Sequence, residues 1–357
     1  MTLPSGVLSR TDVGRLVRED LSDVIRDISP TETPFHSNIG REDATNDAHE
    51  WPQDRLPDAK SSNQHVDGDD FVAEGGTGQV GAGSAGTTIT AGNRIGNYCE
   101  IGRFDIVISR RAEIVKKAGR RSSLGYQLAK AGRALKRDCE ASALANKAAV
   151  QGTETLAGQS AGYPAWIRQN DSRGAGAARP AALVSGFPTG TAATDGTLRA
   201  LSETNLLDVI GDIYITGGDA DCIMMYPTTK QRFSSYMFSP DATNSGRIAT
   251  QYQDQGKNPR AGVTAVGAVD VYVSDFGVLD VIPNRFQRPR DVPIFEKDMW
   301  AIAYLEGYNL TDIGRTGLSE KRILSVDWCV EAGESSSSGI VADVSSTAAM
   351  VFASTEP

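Results

Sequence analysis

Few residues of this sequence have the type and spacing that chemistry requires. Residues 81–86 read GAGSAG, a match to G-x-G-x-x-G, the turn whose backbone N–H groups cradle a pyrophosphate. That chemistry needs a strand before the glycines and a helix after them. Here a polar loop precedes them and TTIT follows. Asp275, Phe276 and Gly277 spell the metal-binding word of protein kinases, but no HRD loop or β3 lysine word accompanies it. A tight turn between two strands accounts for it. His36, His49 and His65 are the 3 histidines, spread among acidic residues at a spacing that fits no zinc site. Cys99, Cys139, Cys222 and Cys329 lie far apart with no CxxC pair, so reduced, buried thiols are expected. GxSxG and HExxH words are absent. The sequence predicts no catalytic residue, no metal site and no cofactor.

The composition narrows the class. A chain of 357 residues allows one elaborate domain or two to three modest ones. A net charge of −9 and a pI near 5.0 argue against bulk binding to nucleic acid or to an anionic membrane. No apolar run is long enough for a transmembrane helix, and the first residues lack the apolar core of an export signal. The 37 glycines mean that many connections use permissive backbone.

The chain is organised around residues 122–150. Leu124, Leu128, Ala131, Leu135, Cys139 and Ala143 recur at the helical period, without a proline. Ser122 or Ser123 is placed to cap the N-terminus. A helix of this length spans roughly 40 Å. A second face carries Gly125, Ala129 and Gly132, small enough for another backbone to pass close by, and a third carries Lys130, Arg133 and Arg137. The alanine-rich end, with Leu144 and Val150, reads as buried. The plainer alternative is a surface helix with one core stripe and a solvated face.

Around this spine, residues 11–28 form an amphipathic helix, followed by a bent, proline-containing arm in which Phe35 needs a pocket. Residues 49–107 read as a long hairpin anchored by Trp51, with a polar, glycine-rich end at 61–86 that has too little apolar surface to order itself in a free subunit. Residues 151–197 are an irregular excursion. An α/β segment follows: helix at 198–216, buried strand at 222–226, helix from 227 to 237, polar loop at 239–263, strands at 266–273, 278–282, 294–305 and 310–330. A serine linker at 334–339 and a short β piece precede a polar C-terminus.

This order of parts, with the words DLSDVIRDISPTETPF (20–35), HEWPQD (49–54), RIGNYCEI (94–101), YQLAKAGRALKRDCEASALANKAAV (126–150), VDVYVSDFG (269–277) and WCVEAGE (328–334), resembles the major capsid proteins of tailed bacteriophages. The similarity is to the Hong Kong 97 (HK97)-like fold, and to a capsid family with a podovirus-like prototype. It covers nearly the whole chain. It departs at the serines after Glu334, where the usual Asn-Glu-x-Ala-His is missing.

The resemblance implies an α+β fold divided into an N-terminal arm (1–48), an extended loop (49–107), a peripheral domain with the spine helix (108–197), an axial domain (198–305), return strands (306–334) and a C-terminal tail (335–357). It implies a structural protein that self-assembles as hexamers and pentamers into an icosahedral head enclosing double-stranded DNA, without sequence-specific binding. Portal, scaffold and decoration proteins are candidate partners. The place of action is the virion, after assembly in the host bacterial cytoplasm. An encapsulin-like compartment and a soluble α/β enzyme are the alternatives. Some shells of this fold join a loop lysine to a neighbour's asparagine. Lys60 is the lysine of this loop, and a plain exposed lysine is the other reading. In this fold the long loop of one subunit lies over the peripheral domain of the next. Acids crowd the first region (Glu42, Asp43, Asp47, Glu50, Asp54, Asp58, Asp67, Asp69, Asp70, Glu74) and bases the second (Arg103, Arg110, Arg111, Lys116, Lys117, Arg120, Arg121, Lys130, Arg133, Lys136, Arg137). Phe35, Trp51, Asp67, Asp69, Asp70, Gly125, Ala129, Lys130, Gly132, Arg133 and Arg137 are therefore the candidates for contact between subunits.

Overall fold

The computed structural model describes residues 30–54, 59, 61, 67, 92–117, 121–237, 269–315 and 317–346. The expected helix at 11–28, Lys60, His65, the GAGSAG word with most of the loop end, the polar loop at 239–263 and residues 347–357 lie outside the described residues.

In chain order the elements are α1 (Pro34–Asn38), β1 (Gly40–Asp43), β2 (Ala48–Gln53), β3 (Asn93–Tyr98), β4 (Glu100–Ser109), α2 (Arg110–Ile114), α3 (Ser123–Ala143), α4 (Tyr163–Trp166), β5 (Asp171–Ser172), α5 (Glu203–Thr216), β6 (Cys222–Met225), α6 (Pro227–Met237), β7 (Val271–Ser274), β8 (Gly277–Pro283), β9 (Val292–Phe295), β10 (Trp300–Ile313), β11 (Ser319–Ala332) and β12 (Gly339–Val341). They form a four-stranded sheet in the order β1-β10-β11-β4, a six-stranded sheet in the order β5-β12-β9-β6-β8-β7, and the β2–β3 pair. The β2–β3 pair is the base of the expected hairpin, Ala48 facing Tyr98 and Gln53 facing Asn93. Residues 100–109, read from sequence as part of that limb, pair instead with β11. The Asp275–Phe276 turn joins β7 to β8, with Ser274 opposite Gly277.

The spine α3 starts where the sequence places it. Ser122 Oγ accepts the Gly125 N–H at 3.1 Å. Glu113 of α2 reinforces this end, accepting from Ser122 Oγ (2.7 Å) and from the Ser123 N–H (3.0 Å). These bonds, that of Ser122 first, hold the Glu113 carboxyl below its usual range. Ala131, Leu135, Cys139 and Ala143 form the buried stripe. The helix is shorter than its alanine-rich composition suggests. It stops at Ala143 because the backbone beyond is claimed by residues 159–162: Val150 and Gln159 exchange 2.9 Å bonds, and the Gly162 N–H donates to Lys147 O.

The six-stranded sheet packs on α5, whose Leu206, Val209, Ile210 and Ile213 meet Ile223, Val281, Ile294 and Val341. The helix is bounded by the Ser202 cap, which accepts the Asn205 N–H at 3.2 Å, and by Gly217 at φ +96°. It therefore begins at Glu203, leaving the expected start, Leu198, exposed. The serine stretch is not a linker. Ser336, Ser337 and Ser338 are buried in a 3-10 turn, where Ser338 Oγ accepts the Trp300 indole N–H at 2.8 Å. The β12 strand that follows lies inside the sheet, between β5 and β9. Just beyond it, the Asp343 carboxylate pins the irregular excursion, accepting the N–H groups of Gly174 (3.0 Å) and Gly196 (2.8 Å) and pairing with Arg290. Burial alone would raise the Asp343 carboxyl; those three partners hold it below its usual value.

The arm, the spine and the end of β8 in the six-stranded sheet meet at Glu140 of α3. Its carboxylate is fully buried and accepts the N–H groups of Phe35 (2.7 Å) and His36 (2.9 Å), the orphan donors at the start of α1. The N-cap residue of that helix, Thr33, makes no side-chain cap of its own. Asn284, just past β8, donates to the same carboxylate at 2.7 Å. Below lies an aromatic cluster: the Phe35 ring is 5.5 Å from Phe295 and 6.3 Å from both Tyr163 and Trp300, edge to face. Phe35 does sit in a pocket, but the pocket is its own chain's core.

Two consequences follow for stability. Phe35→Ala removes the ring shared by β9, β10 and α4, and a urea titration of the subunit is expected to show a loss of about 3–5 kcal/mol. His36 lies 2.6 Å from the Tyr304 hydroxyl, and burial, then Lys136 and Arg41, lower its pKa from 6.5 to about 4. The neutral ring is the form the fold accepts. Its contribution is therefore complete above pH 6.5 and is lost as the pH falls through about 4. Glu140, pushed up by burial against the pull of its three donors and Lys136, has the opposite sign: its share is lost as the pH rises through its folded value. Comparing unfolding free energies at pH 7 and pH 4, His36→Gln should flatten the acid loss of the wild type by roughly 3 kcal/mol.

Candidate assembly surface

The residues expected to meet a neighbour separate into two groups. Phe35 is inaccessible, and Trp51 is buried against Trp166 (5.6 Å) with its indole N–H donating to Ala332 O at 2.9 Å. Both side chains are consumed by their own subunit, which corrects their place among the contact candidates. An aromatic residue in an arm or loop signals that a pocket exists, not which chain supplies it.

The helix candidates do reach the surface. Ala129, Lys130 and Arg133 are exposed on α3, and Arg137 is half-buried. Among the described residues no ion pair involves Lys130 or Lys136. Arg103 and Lys117 pair with Asp105 (3.1 Å) and Glu113 (3.3 Å), the two acids of this basic region. The small stripe is open. A side chain added at Gly125 would meet only Ser122, and one at Gly132 only the tip of Leu324. Among the described residues, no backbone of the same chain fills the space that these glycines leave.

On the acidic side, Glu42 and Asp43 lie exposed on β1, the edge strand next to β10, and Asp54 and Asp67 are exposed as well. Asp69 and Asp70 lie outside the described residues.

The structure adds two apolar fields that sequence reasoning missed. On β4 only Ile106 is buried; Ile101 is 73% exposed and Val107 62%, and among the described residues β4 is an edge strand of its sheet. Ile114 and Val115 beside α2, and Leu318, to whose carbonyl the Arg110 N–H is bonded, extend this field. The second field joins α5 to the β7–β8 turn: Ile215 is 82% exposed, Tyr214 stacks on Phe276 at 4.9 Å, and Val273 and Val278 continue it. The shallow depression there is lined by Leu207, Asp208, Asp212, Ile215 and Phe276. The strand character of β4 was legible, but not which face of the strand finds a core.

This arrangement can bind surfaces through apolar area and charge. The two described histidines stand apart: His36 meets Tyr304 and His49 meets Glu331 at 3.0 Å. Among the described residues no cluster of His, Cys, Asp and Glu could hold a metal ion.

Comparison with known proteins agrees with this picture along the whole chain. The family model for the SU10 major capsid protein matches residues 6–345. The major capsid protein of Escherichia phage Phieco32 is 24% identical over 330 residues, covering 84% of this chain and 86% of that protein. The capsid of a native GTA particle superposes with a TM-score of 0.57 at 12% identity, over 96% of this chain and 100% of that one. The holo-SrpI encapsulin from Synechococcus elongatus reaches 0.52 at 8% identity, over 97% and 99%. The fold is the α+β, HK97-like capsid fold, and the chain belongs to the SU10 major capsid protein family.

Proposed function

We infer that this chain is the major capsid protein of a tailed bacteriophage, a structural protein whose copies close into an icosahedral shell of hexamers and pentamers around double-stranded DNA. The observation that carries the reading is the family match from residue 6 to 345. Assembly is the mechanism. The free subunit leaves Ile101, Leu318 and Ile215 in water, and burying such area against a neighbour is favourable by about 25 cal/mol per Å². The arm, loop, peripheral and axial divisions expected from the resemblance belong to this reading, as do portal, scaffold and decoration proteins as partners and assembly in the bacterial cytoplasm before residence in the virion. A net charge of −9 suits a container that does not grip its genome. The proposal gives the chain no catalytic role.

The encapsulin likeness favours one rival, a compartment for an enzyme. Electron microscopy of purified particles, with their contents assayed, separates the readings. Closed shells holding DNA support the capsid; shells holding an enzyme support the rival; a protein that stays monomeric at all concentrations contradicts both.

The loop-over-helix contact has its own test. Reversing Lys130, Arg133 and Arg137 to glutamate should slow assembly, followed by light scattering. Adding Asp67→Lys, Asp69→Lys and Asp70→Lys should partly restore it, and raised salt should slow the wild type. Equal rates for all would remove charge matching from the mechanism.

The place of the cut decides what a truncation of the arm tests. Removing residues 1–35 takes Phe35 out of the core and strips Glu140 of the Phe35 N–H, so it destroys the fold rather than the contact. Removing residues 1–29 should leave subunits with wild-type thermal unfolding that no longer form closed shells. Normal shells from the shortened chain would show that the arm is dispensable.

A further inference from the structure

We propose that Cys99 and Cys329 are a redox latch, forming a cross-strand disulfide when the protein meets a low-molecular-weight disulfide oxidant. The β11–β4 register sets Asp327 opposite Ile101 and Trp328 opposite Glu100. Continued one step, that register brings Cys329 opposite Cys99, and both thiols lie in one small buried cluster. Residues directly opposite in an antiparallel pair have Cα atoms about 4.5–5.5 Å apart, inside the range of about 4.4–6.8 Å that a disulfide spans. The other buried members of their cluster, Ala44 and Ala303, are small, and Leu305 packs against it. Cys139 has Tyr308 as its polar neighbour and Cys222 lies in β6 beside Phe295.

The position gives the bond a role. Cys99 is the residue between β3 and β4, where the base of the long hairpin leaves the four-stranded sheet, and its N–H bonds to Asp47 O at 2.8 Å. A link to β11 would tie the hairpin base to the sheet centre. Cys99 beside it, and burial, push the Cys329 thiol well up, so that buried thiol is unreactive until that end of β4 opens. Inside a reducing cell the pair stays as two thiols.

The chemistry balances with glutathione disulfide as oxidant. The thiolate of one cysteine attacks a glutathione sulfur, expelling one glutathione thiolate and leaving a mixed disulfide. The thiolate of the second attacks the protein sulfur of that bond and expels the other. Two electrons pass to glutathione, and the two thiol protons end on the released thiols. The bond itself does not depend on the capsid reading; only its timing, after release from the cell, rests on it.

The test uses the full chain, purified under reducing conditions, then exposed to oxidised glutathione or kept in dithiothreitol. After denaturation with iodoacetamide, peptide mapping should find Cys99 joined to Cys329 while Cys139 and Cys222 are alkylated. The thermal midpoint should rise by about 5 °C and return on reduction. Cys99→Ala should lose both effects, and if that variant does not fold, the wild-type map decides alone. Four free thiols after exposure, single glutathione adducts without the link, or any other pairing would overturn the proposal.

Discussion

One buried carboxylate holds the described parts of this subunit in register. Glu140 sits near the C-terminal end of the spine, on its inner side, where it accepts bonds from two backbone groups of the arm and from Asn284 beyond β8. A carboxylate taken fully out of water is tolerated only when its oxygens are satisfied. Three donors from two other parts of the chain satisfy it. Removing any one leaves polar groups buried without partners, so the arm, the spine and the six-stranded sheet are fixed as a set. Phe35 uses the same geometry: the two bonds to Glu140 place its ring where α4, β9 and β10 converge.

That junction explains which surfaces remain for a neighbour. The inner stripe of α3 and the aromatic residues of arm and hairpin are spent on the subunit's own core. What stays outside is the far side of α3, with its open glycines and lysines, the edge strand β4 and the apolar ridge of α5 with the β7–β8 turn. A rigid interior with apolar and charged exterior fields is what assembly from identical copies requires, since the contacts must be presented before the partner arrives.

Much of the fold was legible because it is written locally. The Ser122 cap, the stripe of α3, the base of the hairpin and the turn at Asp275 follow from period and from turn chemistry, and the structure has them. The misses share a physical cause. The alanines after 143 are good helix formers, but residues 159–162 offer their backbone another set of bonds, and the sequence does not show that competition. Ser336, Ser337 and Ser338 read as a linker by composition, yet Glu334 and Trp300 satisfy their hydroxyls and let them be buried. Phe35 was rightly seen to need a pocket and Trp51 to be an anchor, though a residue type cannot say which subunit supplies the site. Glu140 carried no signal at all, because a glutamate in a helix is ordinarily solvated and only the fold brings its donors to it. The family resemblance rested on whole words spread along the chain, which is why it survived these local errors.

Hydrogen exchange on the Glu140→Ala subunit tests the central claim most directly. If the carboxylate joins the parts into one unit, the slow amides of β6 and β9 and those of β10 and β11 should lose protection together, by about 3–5 kcal/mol in opening free energy. If only residues 33–39 exchange faster while both sheets keep wild-type protection, Glu140 merely holds the arm, and it does not join the sheets.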